Sequence, residues 1–515
     1  MAATAVTPGK VAHIPALVAR QAGLHAERIA MSVNDREPLT YLAWWRCAQG
    51  VARSLRPRVR PGDLVALPFP ADLWPEYCIA YVASQLAGAV PVPVRPDTSA
   101  REWRALFDDH AVGHVLTPDA AGRFASRTMA GAQILPLAEL QNPVAVVADP
   151  SPAARVPDTA HVLPTSGTTG TPKPVAACHT ELLDGGGFPP GWAGGTLVHV
   201  MAPASAAGTE GAMLLGLKSG MHVTTVAPVD CAPLMEKVHE PSTLVLLITP
   251  AVALRCLRGG FLSGSVKHVK LVMVMGAAAP PHVMQELSRF FASARVLSHY
   301  GATEAGTAQL LMPFDRNRPS AVGRAVGRTQ VRIVADEQQL PPGEVGEVLL
   351  RREGAPPRHY VGWPELSRRV FRSDGWVRTG DLGFVDEDGY LHLRGRKKDI
   401  VMRAGLNIAP IEVEEVLTNC PDVDDAAAFG VPHTLWGEIL VAAVVSKQGT
   451  DPTEGALLEA LRAELALFKV PSRIMMVEAL PRNAGGKVNR AALRETYAIR
   501  YKDAPDPAPE DQPFP

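Results

Sequence analysis

Residues Leu163 to Pro174 read Leu-Pro-Thr-Ser-Gly-Thr-Thr-Gly-Thr-Pro-Lys-Pro, five hydroxyls, two glycines and a lysine within twelve positions. This is the composition of a loop that wraps phosphate. Gly167 and Gly170 let the backbone turn tightly and aim N–H groups inward. Thr165, Ser166, Thr168 and Thr169 add donors, and Lys173 supplies a compact positive charge. A Gly/Thr-rich surface turn would use the same residue types. The Walker A spacing is absent, so an ordinary P-loop NTPase is disfavoured.

The chain around this loop is too long for one hydrophobic core: 515 residues predict two to four packed units. Hydrophobic residues make up 47% and charged residues 20%, enough to bury a large core, which excludes global disorder. Fifty-one basic against 52 acidic residues leave a net charge of -1 and no electrostatic footprint for nucleic acid or an anionic membrane. The expected partners are therefore small molecules held in pockets. Six cysteines without a Cys-x-x-Cys pair do not make a disulfide framework, and a reducing cytoplasm is expected. The N-terminus shows no secretory pattern. The apolar run Leu244 to Leu254 is short and broken by Pro250, so no membrane span is expected.

From the N-terminus to about residue 390, apolar runs alternate with longer amphipathic stretches. Leu64 to Leu67, Tyr77 to Leu86 and Ala89 to Val94 give a βαβ rhythm. Further buried strands are expected at Thr196 to Met201, His222 to Val226, Leu244 to Thr249 and Val269 to Met275. From Val331 to Arg351 short strands joined by Pro341-Pro342-Gly343, followed by Tyr390 to Arg394, predict a smaller antiparallel or barrel-like unit. Beyond Arg396 a compact α+β unit is expected, with helices at Pro410 to Thr418 and Thr453 to Leu467 and strands at Ala426 to Val431 and Ile439 to Ser446. The Pro-rich end from Asp503 is too polar to pack and predicts a disordered tail.

Four later segments follow in order: Tyr300-Gly-Ala-Thr-Glu-Ala-Gly306, Arg378-Thr-Gly-Asp-Leu-Gly383, Gly395-Arg-Lys-Lys-Asp399 and Pro481-Arg-Asn-Ala-Gly-Gly-Lys487. Together with the first loop they resemble the adenylate-forming superfamily of acyl-CoA synthetases, aryl-CoA ligases, luciferases and peptide-synthetase adenylation domains. The resemblance runs from about residue 15 to about residue 495. It implies an α/β fold with a large N-terminal domain, residues 1–395, of parallel α/β subdomains plus a small barrel-like unit. A small mobile α+β domain, residues 396–500, and a tail, residues 501–515, would follow.

The resemblance also implies a chemistry: a carboxylate attacks the α-phosphate of ATP, pyrophosphate leaves, and the acyl-adenylate passes to a thiol. Glu304 would then coordinate Mg²⁺, for which a hard carboxylate oxygen is the preferred ligand. Tyr300 would pack beside the adenine, with Gly301, Ala302 and Thr303 completing that turn. Gly276, Ala277 and Ala278 would form a small-residue loop leaving room for adenine or the acyl group. Asp381 and Arg396 would hold the ribose, and Lys398 would be the hinge about which the small domain rotates. Lys173 and Lys487 would act on the reacting phosphate, Lys487 from the mobile Gly-Gly-Lys loop. Gly405 would let a slender pantetheine thread past without meeting a Cβ.

Two departures bear on the substrate. Ser205-Ala-Ala-Gly208 stands where many relatives carry an aromatic or His guard, so Ser205, Gly208 and Thr209 are expected to line the acyl pocket. Ala204 lies near the place of the aspartate that binds an α-amino group, which makes an amino acid less fitting. Pro174 replaces the glycine that usually follows the loop lysine. The residues from Asn407 to Glu415 resemble CoA ligases, so ATP, Mg²⁺ and CoA are the expected small molecules. Transfer to a carrier-protein phosphopantetheine, and adenylation of nitrite or another acid for amide or diazo formation, remain alternatives.

Overall fold

The computed structural model describes residues 11–98, 103–104, 106, 112–118, 133–140, 155–165, 173–277, 279–318, 321–403, 406–434, 436–482 and 487–501. The chain divides into two compact units. One joins Met1–Gln330 to Leu350–Val377, and the other joins Val331–Leu349 to Arg378–Pro515. Residues 331–349 and 378–395, read from sequence as the end of the first domain, thus pack with the second unit.

The first unit is a doubly wound α/β body. Its main sheet carries parallel strands at Arg295–Tyr300, Leu271–Val274, Thr243–Ile248, Thr196–His199, His222–Thr225 and Ile29–Val33, in that spatial order. Leu310–Pro313 and Ala321–Ala325 extend it antiparallel beyond Arg295–Tyr300. The central strands read as continuous apolar runs, Thr-Leu-Val-Leu-Leu-Ile for Thr243–Ile248, because helices cover both faces. Pro281–Phe290 and Pro250–Arg258 pack on one face with Phe290 and Phe291 in the core. Tyr41–Leu55 and Trp74–Leu86 belong to the larger core.

Trp74–Leu86 is apolar nearly all round and accordingly buried nearly all round. Its neighbour Tyr41–Leu55 is started by Thr40, whose hydroxyl accepts from the N–H of Ala43. Trp44 Nε1 donates to the Cys78 carbonyl at 2.9 Å and Tyr41 donates to the Met221 carbonyl at 2.7 Å, so the aromatic core leaves these polar tips satisfied. A second parallel sheet orders Val90–Pro93, Leu64–Leu67, Val112–Thr117 and Gln133–Pro136. A third is antiparallel, with Lys173–Cys178 between Thr159–Thr165 and His359–Tyr360.

In the second unit, five strands are ordered Gln338–Gln339, Thr329–Ala335, Gly346–Arg352, Val377–Val385 and Leu391–Arg396. The Pro341-Pro342-Gly343 turn falls between two of them, as the sequence predicts. The C-terminal part is built on Val423–His433 and Gly437–Ser446, an antiparallel pair, with Arg473–Met476 parallel to the latter. Period-two alternation splits the pair into two apolar faces. Ala426, Ala428, Leu440, Ala442 and Val444 meet the helices Pro410–Asn419 and Glu454–Glu464. Ala427, Phe429, Val431, Ile439 and Val441 meet Leu493 of Arg490–Tyr501. The expected tail beyond residue 501 lies outside the described residues. Among the described residues no helix is long and apolar enough to cross a membrane.

Candidate active site

Three of the parallel strands deliver predicted site residues at the same edge. Arg295–Tyr300 ends on Tyr300, Leu271–Val274 ends before Gly276 and Ala277, and Thr196–His199 ends before Ser205. The registers Val274 with Ser298 and Leu247 with His199 keep those ends level. Ligands of open α/β sheets bind outside the carboxyl ends of the strands, which is where these residues fall.

The hairpin that carries the opening motif brings a fourth contribution. Thr165 and Lys173 are directly opposite each other at its tip, and the Thr165 hydroxyl donates to the Lys173 carbonyl at 3.0 Å. Ser166, Gly167, Thr168, Thr169 and Gly170 lie outside the described residues, as do Ala278 and Gly405. The turn Gly301, Ala302, Thr303 reaches Glu304, and two hydroxyls converge on one oxygen of that carboxylate. Tyr360 donates to Oε1 at 3.0 Å, and the Thr165 hydroxyl, which shares its one proton with the Lys173 carbonyl, lies 3.4 Å from the same oxygen. Tyr360 is buried and packs edge-on against Phe371 at 5.0 Å. Burial, and then the neighbouring Glu304 carboxylate, push the Tyr360 phenol well above its ordinary range, so it stays a donor.

Beneath this turn lies a charged cluster buried in the first unit. The Arg358 guanidinium contacts Glu181 through Nε, at 3.1 and 3.0 Å, and through Nη2 at 3.0 Å. It contacts Glu210 through Nη1 and Nη2, both at 3.0 Å. Nη1 also donates to the Thr303 carbonyl at 2.8 Å. His161 Nε2 lies 3.0 Å from Glu210, and its Nδ1 lies 2.8 Å from the Tyr81 hydroxyl. Burial raises the Tyr81 pKa well above its usual value, so the phenol keeps its proton beside His161. Burial alone would raise the Glu210 pKa, but Arg358 and the His161 hydrogen bond hold the carboxyl below the usual range. Removing one partner from such a buried group typically costs about 3–5 kcal/mol.

The predicted acyl-pocket residues are tied to backbone. Ser205 donates to the Ala202 carbonyl at 2.7 Å and accepts from the Gly208 N–H at 3.0 Å, capping the helical segment that follows. Gly208 has no room for a side chain, since a Cβ there would lie 2.1 Å from the Ala202 oxygen. Thr209 is fully enclosed, donating to the Pro203 carbonyl at 2.7 Å and lying 2.5 Å from the Tyr77 hydroxyl.

In the second unit, Asp381 and Arg396 are cross-strand partners, with Arg396 Nε 2.9 Å from Asp381 Oδ1. Asp381 is buried and its N–H is fixed by the Thr379 hydroxyl, which itself donates to the Val348 carbonyl. Lys398 is exposed in the turn between Leu391–Arg396 and Val401–Arg403, flanked by the Lys397 N–H donating to the Gly380 carbonyl and the Asp399 N–H donating to the Arg396 carbonyl. Lys487 is exposed beside the bridge between Arg482 and Val488 that closes its loop.

Tyr360, Arg358, Glu181, Glu210 and His161 carry no local motif, and sequence reading passes over them. One signal was available: Glu210 is a lone carboxylate in Ala206-Ala-Gly-Thr-Glu-Gly-Ala-Met-Leu-Leu215, an apolar stretch in which a charge needs a buried partner.

Comparison with known proteins gives the family. The family described as AMP-binding enzyme matches residues 18–356, and the AMP-binding enzyme C-terminal domain matches residues 412–487. The chain is 30% identical to a 4-chlorobenzoate–CoA ligase of Arthrobacter sp over 94% of its own length and 95% of the relative's. It is 28% identical to the oxalate–CoA ligase of Arabidopsis thaliana, covering 92% and 96% of the two chains. Among solved structures, ATP-bound MatB from Rhodopseudomonas palustris superposes with a TM-score of 0.81 at 28% identity, covering 94% of this chain and 99% of that one. The two matched domains and the order of its motifs make this chain a member of the AMP-binding enzymes.

Proposed function

We propose that the protein is an ATP-dependent acid:CoA ligase that forms an acyl-adenylate and then a thioester. The observation that carries this reading is the match to both AMP-binding enzyme domains, with curated CoA ligases similar over nearly the full chain. In the first step an oxygen of the acid attacks the α-phosphorus and the bond to pyrophosphate breaks. In the second a thiol loses its proton and attacks the acyl carbon, and AMP leaves.

Lys173 and the hydroxyls beside it receive the phosphates, and Tyr300 with the turn through Thr303 borders the base. Asp381 accepts from the ribose hydroxyls while Arg396 holds that carboxylate in place. Among the described residues no three His, Cys, Asp or Glu side chains are grouped to hold a metal. A single carboxylate at Glu304 would suit an Mg²⁺ ion that arrives with ATP. When bound, the ion neutralises phosphate charge. The functional division of the chain falls at Arg396 to Lys398, with Lys487 carried by the smaller part and Gly405 beside the path of the thiol. All six cysteines are free thiols, which suits a reducing compartment such as the cytoplasm.

The test is a panel of short, medium, long and aromatic acids, scored for pyrophosphate release and for thioester by mass spectrometry. At least one acid should give AMP, pyrophosphate and a CoA thioester in equal amounts. Adenylation with a carrier protein, an amine or nitrite as the productive acceptor would move the protein to another branch of the family. Tyr360→Phe probes the carboxylate directly. A hydrogen bond to a charged group contributes about 1.5–3 kcal/mol. The KM for ATP should therefore rise by roughly tenfold or more at constant Mg²⁺, with the KM for the acid little changed.

A further inference from the structure

We infer that Arg358 is a positioning residue for Glu304, acting through a buried Glu181, Arg358, Glu210 triad on which the Glu304 turn is laid. The inference rests on the reading of Glu304 as the carboxylate that meets MgATP. A guanidinium has five N–H donors in a fixed planar fork. Here four are directed to the two carboxylates and the fifth to the carbonyl of Thr303, the residue immediately before Glu304. On the other side of Glu304, the Thr307 N–H donates to Glu181 Oε1 at 3.2 Å. The turn is therefore pinned at both ends by the triad, by Arg358 before Glu304 and by Glu181 after it.

Gly306 shows how closely the turn lies on that group. Its φ is +59°, and a Cβ there would sit 1.9 Å from Glu181 Oε1 and 2.6 Å from Arg358 Nε. No side chain fits between the turn and the triad. Above the turn, Tyr360 is two residues after Arg358 on the same segment and donates to the Glu304 carboxylate. One short stretch thus fixes both the backbone before Glu304 and the carboxylate itself. Glu210 directly follows Thr209, so the same guanidinium also anchors the helical segment that carries the proposed acid site.

Lysine at 358 keeps the charge but presents three donors without the planar fork, so it cannot replace the five directed N–H groups that hold both carboxylates and the Thr303 carbonyl. Misplacement of a charged group on the order of 1 Å costs up to about a hundredfold. The readout is equilibrium binding of ATP to the full-length protein, with Mg²⁺ and in EDTA. Mg²⁺ should tighten ATP binding to the parent. Glu304→Gln should abolish that tightening. Arg358→Lys should remove most of it, about tenfold, and leave binding in EDTA unchanged. Gly306→Ala, whose Cβ would meet Glu181 Oε1 and Arg358 Nε and so must part the turn from the triad, should do the same and serves as the test if Arg358→Lys does not fold. A folded Arg358→Lys or Gly306→Ala protein that keeps the full Mg²⁺ effect overturns the inference. If instead Glu304→Gln keeps it, the reading of Glu304 fails, a distinct outcome.

Discussion

Replacing Lys487 with alanine is expected to lower acid-dependent pyrophosphate exchange by about two to three orders of magnitude, the usual consequence of losing one preorganised charge at a reacting centre. The lysine stands exposed at the base of a loop drawn together by the Arg482 and Val488 bridge, with no part in either apolar face of its sheet. Its removal should therefore leave folding intact. Thioester formation from chemically supplied acyl-adenylate should proceed near the parental rate, because the proposed role of this lysine ends when pyrophosphate leaves. Equal loss in both half-reactions would mean that Lys487 serves something common to the two steps.

The reciprocal result is expected at the hinge. Lys398→Pro fixes φ at the one exposed turn between the strands ending at Arg396 and beginning at Val401, while the neighbouring Lys397 and Asp399 N–H groups keep their acceptors. Adenylation should survive within a few-fold. Thiol transfer should fall by at least about a hundredfold, since it requires a rearrangement of the smaller part that a locked backbone forbids. A single-turnover experiment separates the steps: adenylate should form at the parental rate and then persist in the presence of CoA. Normal thioester release from a folded Lys398→Pro protein would place the pivot elsewhere.

What the sequence disclosed and what it concealed follow from range. The strands at Thr196, His222, Thr243 and Leu271 were legible because a buried parallel strand must be a short apolar run between breakers, a property of its own residues. Asp381 and Arg396 were each legible from their own motifs, whereas their pairing across two strands was not. The Glu304 support was not legible. Its partners come from Thr165, Tyr360, Glu181, Glu210 and Arg358, spread over nearly two hundred residues and joined only when two sheets and two helical segments pack together. Charge in an apolar stretch was the single local trace, at Glu210. Ser205 shows the converse. Its position was read from spacing as pocket wall, and its hydroxyl is committed to capping the segment it begins, a use that spacing does not reveal.

Transfer of a labelled oxygen tests adenylation most directly. An acid found productive in the panel is prepared with ¹⁸O in both carboxylate positions and turned over with ATP, Mg²⁺ and CoA. One ¹⁸O should appear in the phosphate of each AMP released, one should remain in the thioester carbonyl, and the pyrophosphate should carry none. Label in inorganic phosphate together with ADP would mean that the acid is activated at the γ-phosphate, and the protein would then not form an adenylate at all.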